Sequence, residues 1–203
     1  MSKLYAIVGA SGSGKTTIGR YVFGKDSEVI SMTTREPRRN ETNNKDYYFV
    51  DKKHFEELLS QRKLAEYDFY DSHYYGLMIS EIQSKLNKGD AYVVITLHGY
   101  KQLKDIFGSR VVSVFIDAKK EHVEAMLKGR NDTNIEKRME SYDKEVLDKF
   151  QCDYVIENEF GNMEKSVYQF LMLKNGMIDE FKNYQYGDIE EKSHEKNAEI
   201  DGW

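Results

Sequence analysis

The sequence predicts an α/β domain in which helices cover both faces of a parallel central sheet. Three observations carry that reading. An apolar run, Leu4-Tyr5-Ala6-Ile7-Val8, leads straight into the glycine-rich stretch Gly9-Ala10-Ser11-Gly12-Ser13-Gly14-Lys15-Thr16. Along the rest of the chain, β-branched and aromatic strand patterns alternate with helical ones. Two strand patterns, Ala91-Tyr92-Val93-Val94-Ile95 and Val111-Val112-Ser113-Val114-Phe115-Ile116, are near-continuous apolar runs, as expected of strands buried on both faces.

The first strand is expected at 3–8. In the loop that follows, Gly9, Gly12 and Gly14 let the backbone wrap an anion closely, and the N–H groups from Gly9 through Ala10, Ser11, Gly12 and Ser13 to Gly14 can point at phosphate oxygens. Lys15 adds a point charge toward the β- and γ-phosphates. Thr16 offers a hydroxyl to Mg²⁺, and Thr17 continues into a helix at 15–23 whose N-terminal dipole faces the same anion. The pattern G-x-x-x-x-G-K-[ST], with a strand before and a helix after, predicts binding of a nucleoside triphosphate.

Further strands are expected at 28–33, 46–50, 91–97, 111–116 and 153–157, and helices at 52–62, 78–88, 100–107, 119–129, 134–150 and 162–174. The stretch from 31 to 76 differs in character: it is rich in tyrosine, charge and short strands, and reads as an insertion. It holds the only proline, Pro37, between Arg35 and Arg38, where a fixed φ stiffens the backbone that carries both guanidiniums.

Bulk properties narrow the function classes. A chain of 203 residues with 39% hydrophobic content suits one α/β domain with a tail. The single cysteine, Cys152, forms no internal disulfide and reads as a buried thiol in a reducing compartment. No apolar run is long enough to span a bilayer, and Leu4 to Val8 is too short for a signal peptide, so a cytoplasmic protein without a membrane partner is expected. The net charge of −5 argues against a nucleic-acid partner. From Gly176 to Trp203 there are eight acidic residues against three lysines, which accounts for that whole charge. This acidic tail, 176–203, is expected to be partly disordered. Within the neutral body, Arg35, Arg38 and Arg39, and again Arg130 and Arg138, form cationic clusters suited to a small anionic ligand.

Ser31-Met32-Thr33-Thr34-Arg35-Glu36-Pro37-Arg38-Arg39-Asn40-Glu41 resembles the guanylate kinase signature S-x-T-T-R-x-P-R-x-x-E at every defined position. Lys45-Asp46-Tyr47-Tyr48-Phe49-Val50 is similar to the family's D-Y-x-F-V strand. Leu64-Ala65-Glu66-Tyr67 and His73-Tyr74-Tyr75-Gly76 resemble its base-reading glutamate and the Y-Y-G that follows. The resemblance spans roughly residues 3 to 174. It implies a three-layer P-loop sandwich with a parallel central sheet, an inserted monophosphate-binding subdomain and a helical lid. Within residues 1–175, it places the core at about 1–32, 91–125 and 151–175, the monophosphate-binding region at about 33–90, and the lid at about 126–150.

The resemblance also implies site roles. Arg35, Arg38, Tyr47 and Tyr75 would hold the monophosphate, within a set that includes Glu41 and Gly76. Ser31 and Glu66 would read the base, since a carboxylate accepts from both guanine N1–H and the exocyclic amine. Lys128-Gly129-Arg130 and Glu136-Lys137-Arg138-Met139 resemble the lid, with Arg130 and Arg138 joining Lys15 and Arg35 in catalysis. Chemistry would then be electrostatic, with Mg²⁺ bound alongside ATP and no general base required. Taken singly, each arginine would read as a solvated cation and Glu66 as an exposed charge.

Two departures stand out. Where the family's central strand ends in D-x-D before a glycine, this chain has Val94 and Thr96 ahead of Gly99, with His98 read as structural. Where the family has a serine or threonine after Y-Y-G, this chain has Leu77. The expected function is therefore phosphoryl transfer from ATP to GMP or dGMP. Two alternatives stay open: a kinase for another, possibly modified, deoxynucleotide, and a module that has lost turnover and binds a phosphorylated protein. The oligomeric state is not legible.

Overall fold

The computed structural model describes residues 1–39, 41–70, 72–129 and 135–177, arranged in two compact units. The first comprises Met1–Val8 and Gly14–Val114, the second Gly9–Ser13 and the described residues from Phe115 onward.

The first unit is built on β1 (Leu4–Val8), every residue of which is buried. It pairs in parallel with β6 (Ala91–Val94), with Leu4 opposite Ala91 and Ile7 opposite Val94, and flanks the start of β7 (Val111–Asp117) on its other side. Helices α1 (Lys15–Phe23) and α3 (Ile79–Leu86) pack on β6 through their apolar faces, which bury Ile18, Val22, Ile82 and Leu86. The continuous apolar patterns of these strands thus meet helices, as expected of an α/β fold.

A second sheet in this unit has the order β3-β2-β5-β4, formed by Tyr48–Phe49, Met32–Thr33, His73–Met78 and Leu64–Tyr70. Its β2–β5 and β4–β5 pairs are antiparallel. Helix α2 (Lys52–Ser60), capped by the Asp51 carboxylate accepting from His54 N–H, covers this sheet with Phe55 and Leu58. Phe55 is fully buried among Met32, Leu64 and Tyr74. Burying such a ring contributes about 2–3 kcal/mol.

Three boundaries differ from the sequence reading. The expected strand 28–33 divides between the two sheets: Glu28 makes an isolated bridge to Tyr92, and only Met32–Thr33 joins the second sheet. The expected strand 91–97 stops at Val94, and α4 runs over Leu97–Phe107 instead of starting at residue 100. Thr96 is the reason, because its hydroxyl accepts from Gly99 N–H at 3.1 Å and caps the helix. The helix expected at 134–150 divides into α6 (Ile135–Glu145) and a tighter 3₁₀ segment, Val146–Gln151.

In the second unit, β8 (Tyr154–Glu157) lies beside the end of β7, and Asn158 N–H donates to the Asp117 carbonyl at 2.7 Å. Helices α5 (Lys120–Gly129), α6 and α7 (Met163–Lys174) complete it. Its core joins Ala10 to Ala118, Val123, Leu127 and Tyr142. Cys152 is buried, as expected. No helix among the described residues is long and apolar enough to cross a membrane. Arg130 and all of the acidic tail beyond Met177 lie outside the described residues.

Candidate active site

All the residues expected to hold the monophosphate and its base belong to the first unit. The two threonines of the signature tie it to β5. Thr33 Oγ1 donates to the Tyr74 carbonyl at 3.0 Å and accepts from Arg35 N–H at 3.1 Å, while Thr34 Oγ1 accepts from Tyr74 N–H at 2.9 Å. The backbone that carries Arg35 is thereby fixed to the strand that carries Tyr75. Sequence reasoning missed this positioning role, although two hydroxyls directly before an arginine are its visible signal.

Arg35 is held closely. Its Nη2 donates to both Glu41 oxygens at 2.9 and 2.8 Å, and its Nη1 donates to the Glu36 carbonyl at 2.7 Å. The guanidinium carbon lies 5.5 Å from the Tyr47 ring centre and 5.8 Å from that of Phe49. Burial works against the charge, but Glu41 and then Tyr75 outweigh it and hold the Arg35 pKa above its ordinary value. Glu41 Oε2 also accepts from Arg38 N–H at 2.9 Å. Glu41 is therefore a scaffold for both arginines.

Tyr47 and Tyr75 meet edge to face, with centroids 6.1 Å apart. Burial and the neighbouring Tyr75 push the Tyr47 hydroxyl pKa up, against the opposing pull of Arg35 and Arg38. Arg35, Arg38, Tyr47 and Tyr75 therefore form one cationic, hydroxyl-bearing cluster. Ser31 lies directly before β2, its carbonyl accepting from Tyr48 N–H. Gly76 pairs with Met32 and Tyr67.

Glu66 is not the exposed charge that a lone glutamate would suggest. It is 6% exposed on β4, opposite Leu77, which is fully buried. A register shift between Leu64 and Glu66 re-aims the side chain away from the plain alternation of the strand. Its carboxyl has no hydrogen-bond or ion-pair partner among the described residues. Burial, followed by the nearby Asp68, pushes its pKa up to about 8. The two positions that replace the family's acidic pair serve the backbone: Val94 pairs with Ile7 and Thr96 caps α4, while His98 is exposed.

The glycine-rich loop contributes to both units. Gly9 has φ 144°, and a Cβ there would lie 2.6 Å from the Ile116 carbonyl oxygen, so only glycine fits. Ser13 is fully buried; its N–H donates to the Ala10 carbonyl, and its own carbonyl accepts from Asn158 Nδ2 at 2.8 Å. The Ser13 hydroxyl has no hydrogen-bond partner among the described residues. Gly14, at φ 94°, opens α1, so Lys15, Thr16 and Thr17 occupy the first helical turn.

From α6, Arg138 Nη1 donates to Ser11 Oγ, and the Glu145 carboxylate accepts from Ser11 N–H at 3.2 Å. Two side chains on one helix thus grip a single loop residue. Neither Asn158 nor Glu145 was found from the sequence, because nothing local marks a residue that is distant along the chain from the loop it holds. Asn158 also lines a cavity of about 830 Å³ with His122, Tyr142, Lys149 and Phe160, in which the His122 and Phe160 rings meet edge to face.

Mg²⁺ was expected at Thr16. That residue is exposed in the first turn of α1, and no group of three or more His, Cys, Asp or Glu side chains able to hold a metal lies among the described residues. One hydroxyl at a phosphate loop fits an ion that arrives with a triphosphate, keeps several waters and takes few protein ligands.

The model of the family described as guanylate kinase matches residues 1–174. Among curated relatives, a guanylate kinase of Wolbachia sp. subsp. Brugia malayi (strain TRS) is 34% identical over 81% of this chain and 87% of its own length. One from Wolbachia pipientis wMel is 33% identical over 85% of this chain and 89% of its own. One from Thermus thermophilus is 32% identical over 84% of this chain and 80% of its own. The crystal structure of guanylate kinase from Anaplasma phagocytophilum shares the fold, with a TM-score of 0.68, 22% identity and 88% of each chain covered. From the phosphate loop through Arg35 and Glu66 to the end of α7, this chain belongs to the guanylate kinase family.

Proposed function

We propose that the chain transfers the γ-phosphoryl group of ATP to GMP or dGMP, giving ADP and the nucleoside diphosphate. The observation that carries this reading is Glu66: a buried carboxyl without a partner among the described residues, in the same sheet as Tyr75 and beside the strands next to which Arg35 and Tyr47 lie. A buried polar group left unpaired is costly, and guanine offers it two adjacent donors. Adenine presents an acceptor at N1 and would leave the carboxylate opposed.

In this reading Arg35, Arg38, Tyr47 and Tyr75 hold the acceptor phosphate, and Glu41 keeps Arg35 and Arg38 in place before it arrives. Ser31 and Glu66 read the base. The donor's phosphates lie in the loop from Gly9 to Thr17, with Lys15 on the terminal phosphates. The cavity bounded by His122 and Phe160 offers the donor's nucleoside a partly aromatic wall. Thr16 would hold Mg²⁺ when it binds with ATP, and the ion would supply charge reduction on the phosphates. An oxygen of the acceptor phosphate attacks the γ-phosphorus, and the bond to the β–γ bridging oxygen breaks as ADP leaves. That acceptor is already ionised, so the protein supplies alignment and cationic stabilisation by Arg138 and Arg130 in place of a base.

Leu77 and Val94 favour a second reading, a kinase for a modified deoxynucleotide, because they put apolar side chains at positions that are polar in the family. Incubating the protein with ATP, Mg²⁺ and a panel of ribo- and deoxyribonucleoside monophosphates, including modified bases, separates the readings. Diphosphate formation confined to GMP and dGMP supports the first. Turnover of a different base supports the second, and no turnover with any acceptor supports a binding module.

A further inference from the structure

Gly99 sits in the first turn of α4, and its packing bears on the base-reading role given above to Glu66, on which this inference rests. The residue is buried, and a Cβ built on it would come within 3.0 Å of Glu66 Oε2 and 2.6 Å of Cγ1 and Cδ1 of Ile95. Contacts at 3.0 Å force the neighbour to yield by a few tenths of an ångström. The Glu66 carboxyl, with no partner of its own among the described residues, is the group free to yield.

The helix itself is pinned. One turn beyond Gly99, Gln102 clamps the backbone next to Glu66: Tyr67 N–H donates to Gln102 Oε1 at 3.2 Å, and Gln102 Nε2 donates to the Tyr67 carbonyl at 3.1 Å. At the other end of the turn, Thr96 Oγ1 accepts from Gly99 N–H. With Gln102 tying this turn to β4 and the Thr96 cap fixing its shape, α4 has little freedom to retreat from an added side chain, and the displacement falls on Ile95 and Glu66.

We propose that Gly99 is a positioning residue for base selection: by carrying no side chain, it leaves the Glu66 carboxylate where both of its oxygens can meet the paired donors of guanine. Thr96 and Gln102 serve the same end by fixing the turn that presents Gly99. An alanine at this position leaves the phosphate cluster of Arg35, Tyr47 and Tyr75 untouched, and its added methyl displaces Ile95 and the base reader.

The test uses the full chain as Gly99→Ala, Ile95→Ala and the Ile95→Ala/Gly99→Ala pair, with steady-state kinetics for GMP and ATP from about pH 6 to 9, a range that brackets the ionisation of a buried carboxyl. The Ile95 change removes the other crowded contact, so the pair also serves if Gly99→Ala alone folds poorly. Gly99→Ala is expected to raise KM for GMP roughly tenfold, since sub-ångström misplacement of a positioning group carries penalties of this order. KM for ATP should stay within about twofold, and the pH at which KM for GMP changes should move upward, because the methyl takes further water from the carboxyl. The GMP effect should persist in the pair and be absent from Ile95→Ala alone.

Recovery of the wild-type KM for GMP in the pair would overturn the proposal, as would a Gly99→Ala enzyme with an unshifted KM and pH midpoint, or parallel rises in both KM values. A wild-type chain inactive on GMP would instead remove the guanine reading, and this inference with it.

Discussion

Arg35 and Glu41 form a two-oxygen ion pair, with Arg35 Nη2 2.9 Å from Oε1 and 2.8 Å from Oε2 of the carboxylate. The pair is mostly shielded from water and sets the guanidinium over the Tyr47 and Phe49 rings. Glu41→Gln keeps the shape and removes the charge. It is expected to raise KM for GMP about tenfold, in line with the roughly 1.5–3 kcal/mol of a hydrogen bond to a charged group, while KM for ATP stays unchanged. Steady-state kinetics with each substrate varied in turn checks this, and an unaltered KM for GMP removes the scaffold role.

Lys15 lies in the first turn of α1, where the loop hands the chain to the helix. Lys15→Ala should reduce kcat by at least about a thousandfold through loss of phosphate stabilisation, with a thermal midpoint close to wild type. A coupled ADP-release assay beside a melting curve gives the answer. Substantial residual turnover would show that the donor lies elsewhere.

Glu66, with its pKa near 8, is mostly protonated at neutral pH in the ligand-free protein. Guanine needs the ionised form, so GMP affinity should rise with pH, by up to about tenfold per unit below 8, and level off above it. Glu66→Gln should flatten that profile. Calorimetric titration of GMP at several pH values tests both, and a flat wild-type curve between about pH 6 and 8 contradicts the assignment.

The same group bears on stability. Its folded pKa is raised from 4.5 to about 8, so across that window the native state holds a proton that the unfolded state has lost. Stability therefore falls as pH rises from about 4.5 to 8, and Glu66→Gln removes the loss. Urea unfolding should show Glu66→Gln gaining on wild type between about pH 5 and 8, by an amount on the order of 3–4 kcal/mol. Parallel wild-type and variant stability curves across that range would speak against a carboxyl buried in its neutral form.

Asn158 joins the phosphate loop to α7: its Nδ2 donates to the Ser13 carbonyl, and its Oδ1 accepts from Ser166 Oγ at 3.2 Å. Asn158→Ala leaves the buried Ser13 carbonyl without that donor. It should lower stability by about 1–3 kcal/mol and raise KM for ATP several-fold, with KM for GMP unaffected. Denaturant midpoints and kinetics together decide, and an equal effect on both substrates would mean a general loss of structure.

Much of the fold is legible before any coordinates. The run from Leu4 to Thr17 announces strand, loop and helix because each has a local cause: apolar continuity, glycine geometry and helical period. The expected strand through Ile95 and Leu97 fails for an equally local reason, since Thr96 and Gly99 form a cap that outweighs the apolar pattern around them. The Leu64–Tyr70 and His73–Met78 hairpin reads in sequence only as part of a tyrosine-rich insertion. Its strands carry charge and aromatics on partly exposed faces, so their alternation is weak.

The residue types and their spacing alone established the chemistry available here: a glycine cradle with its lysine, a proline-stiffened arginine pair, and a glutamate within a tyrosine-rich segment. Those are properties of short stretches, where neighbours in the chain are neighbours in space. Folding decided the state of each group. It brought Glu41 onto Arg35, placed Glu145 and Arg138 on Ser11, and surrounded Glu66 with Leu77 and the turn at Gly99. A carboxyl's charge depends on the water and dipoles around it, and those come from residues far away along the chain.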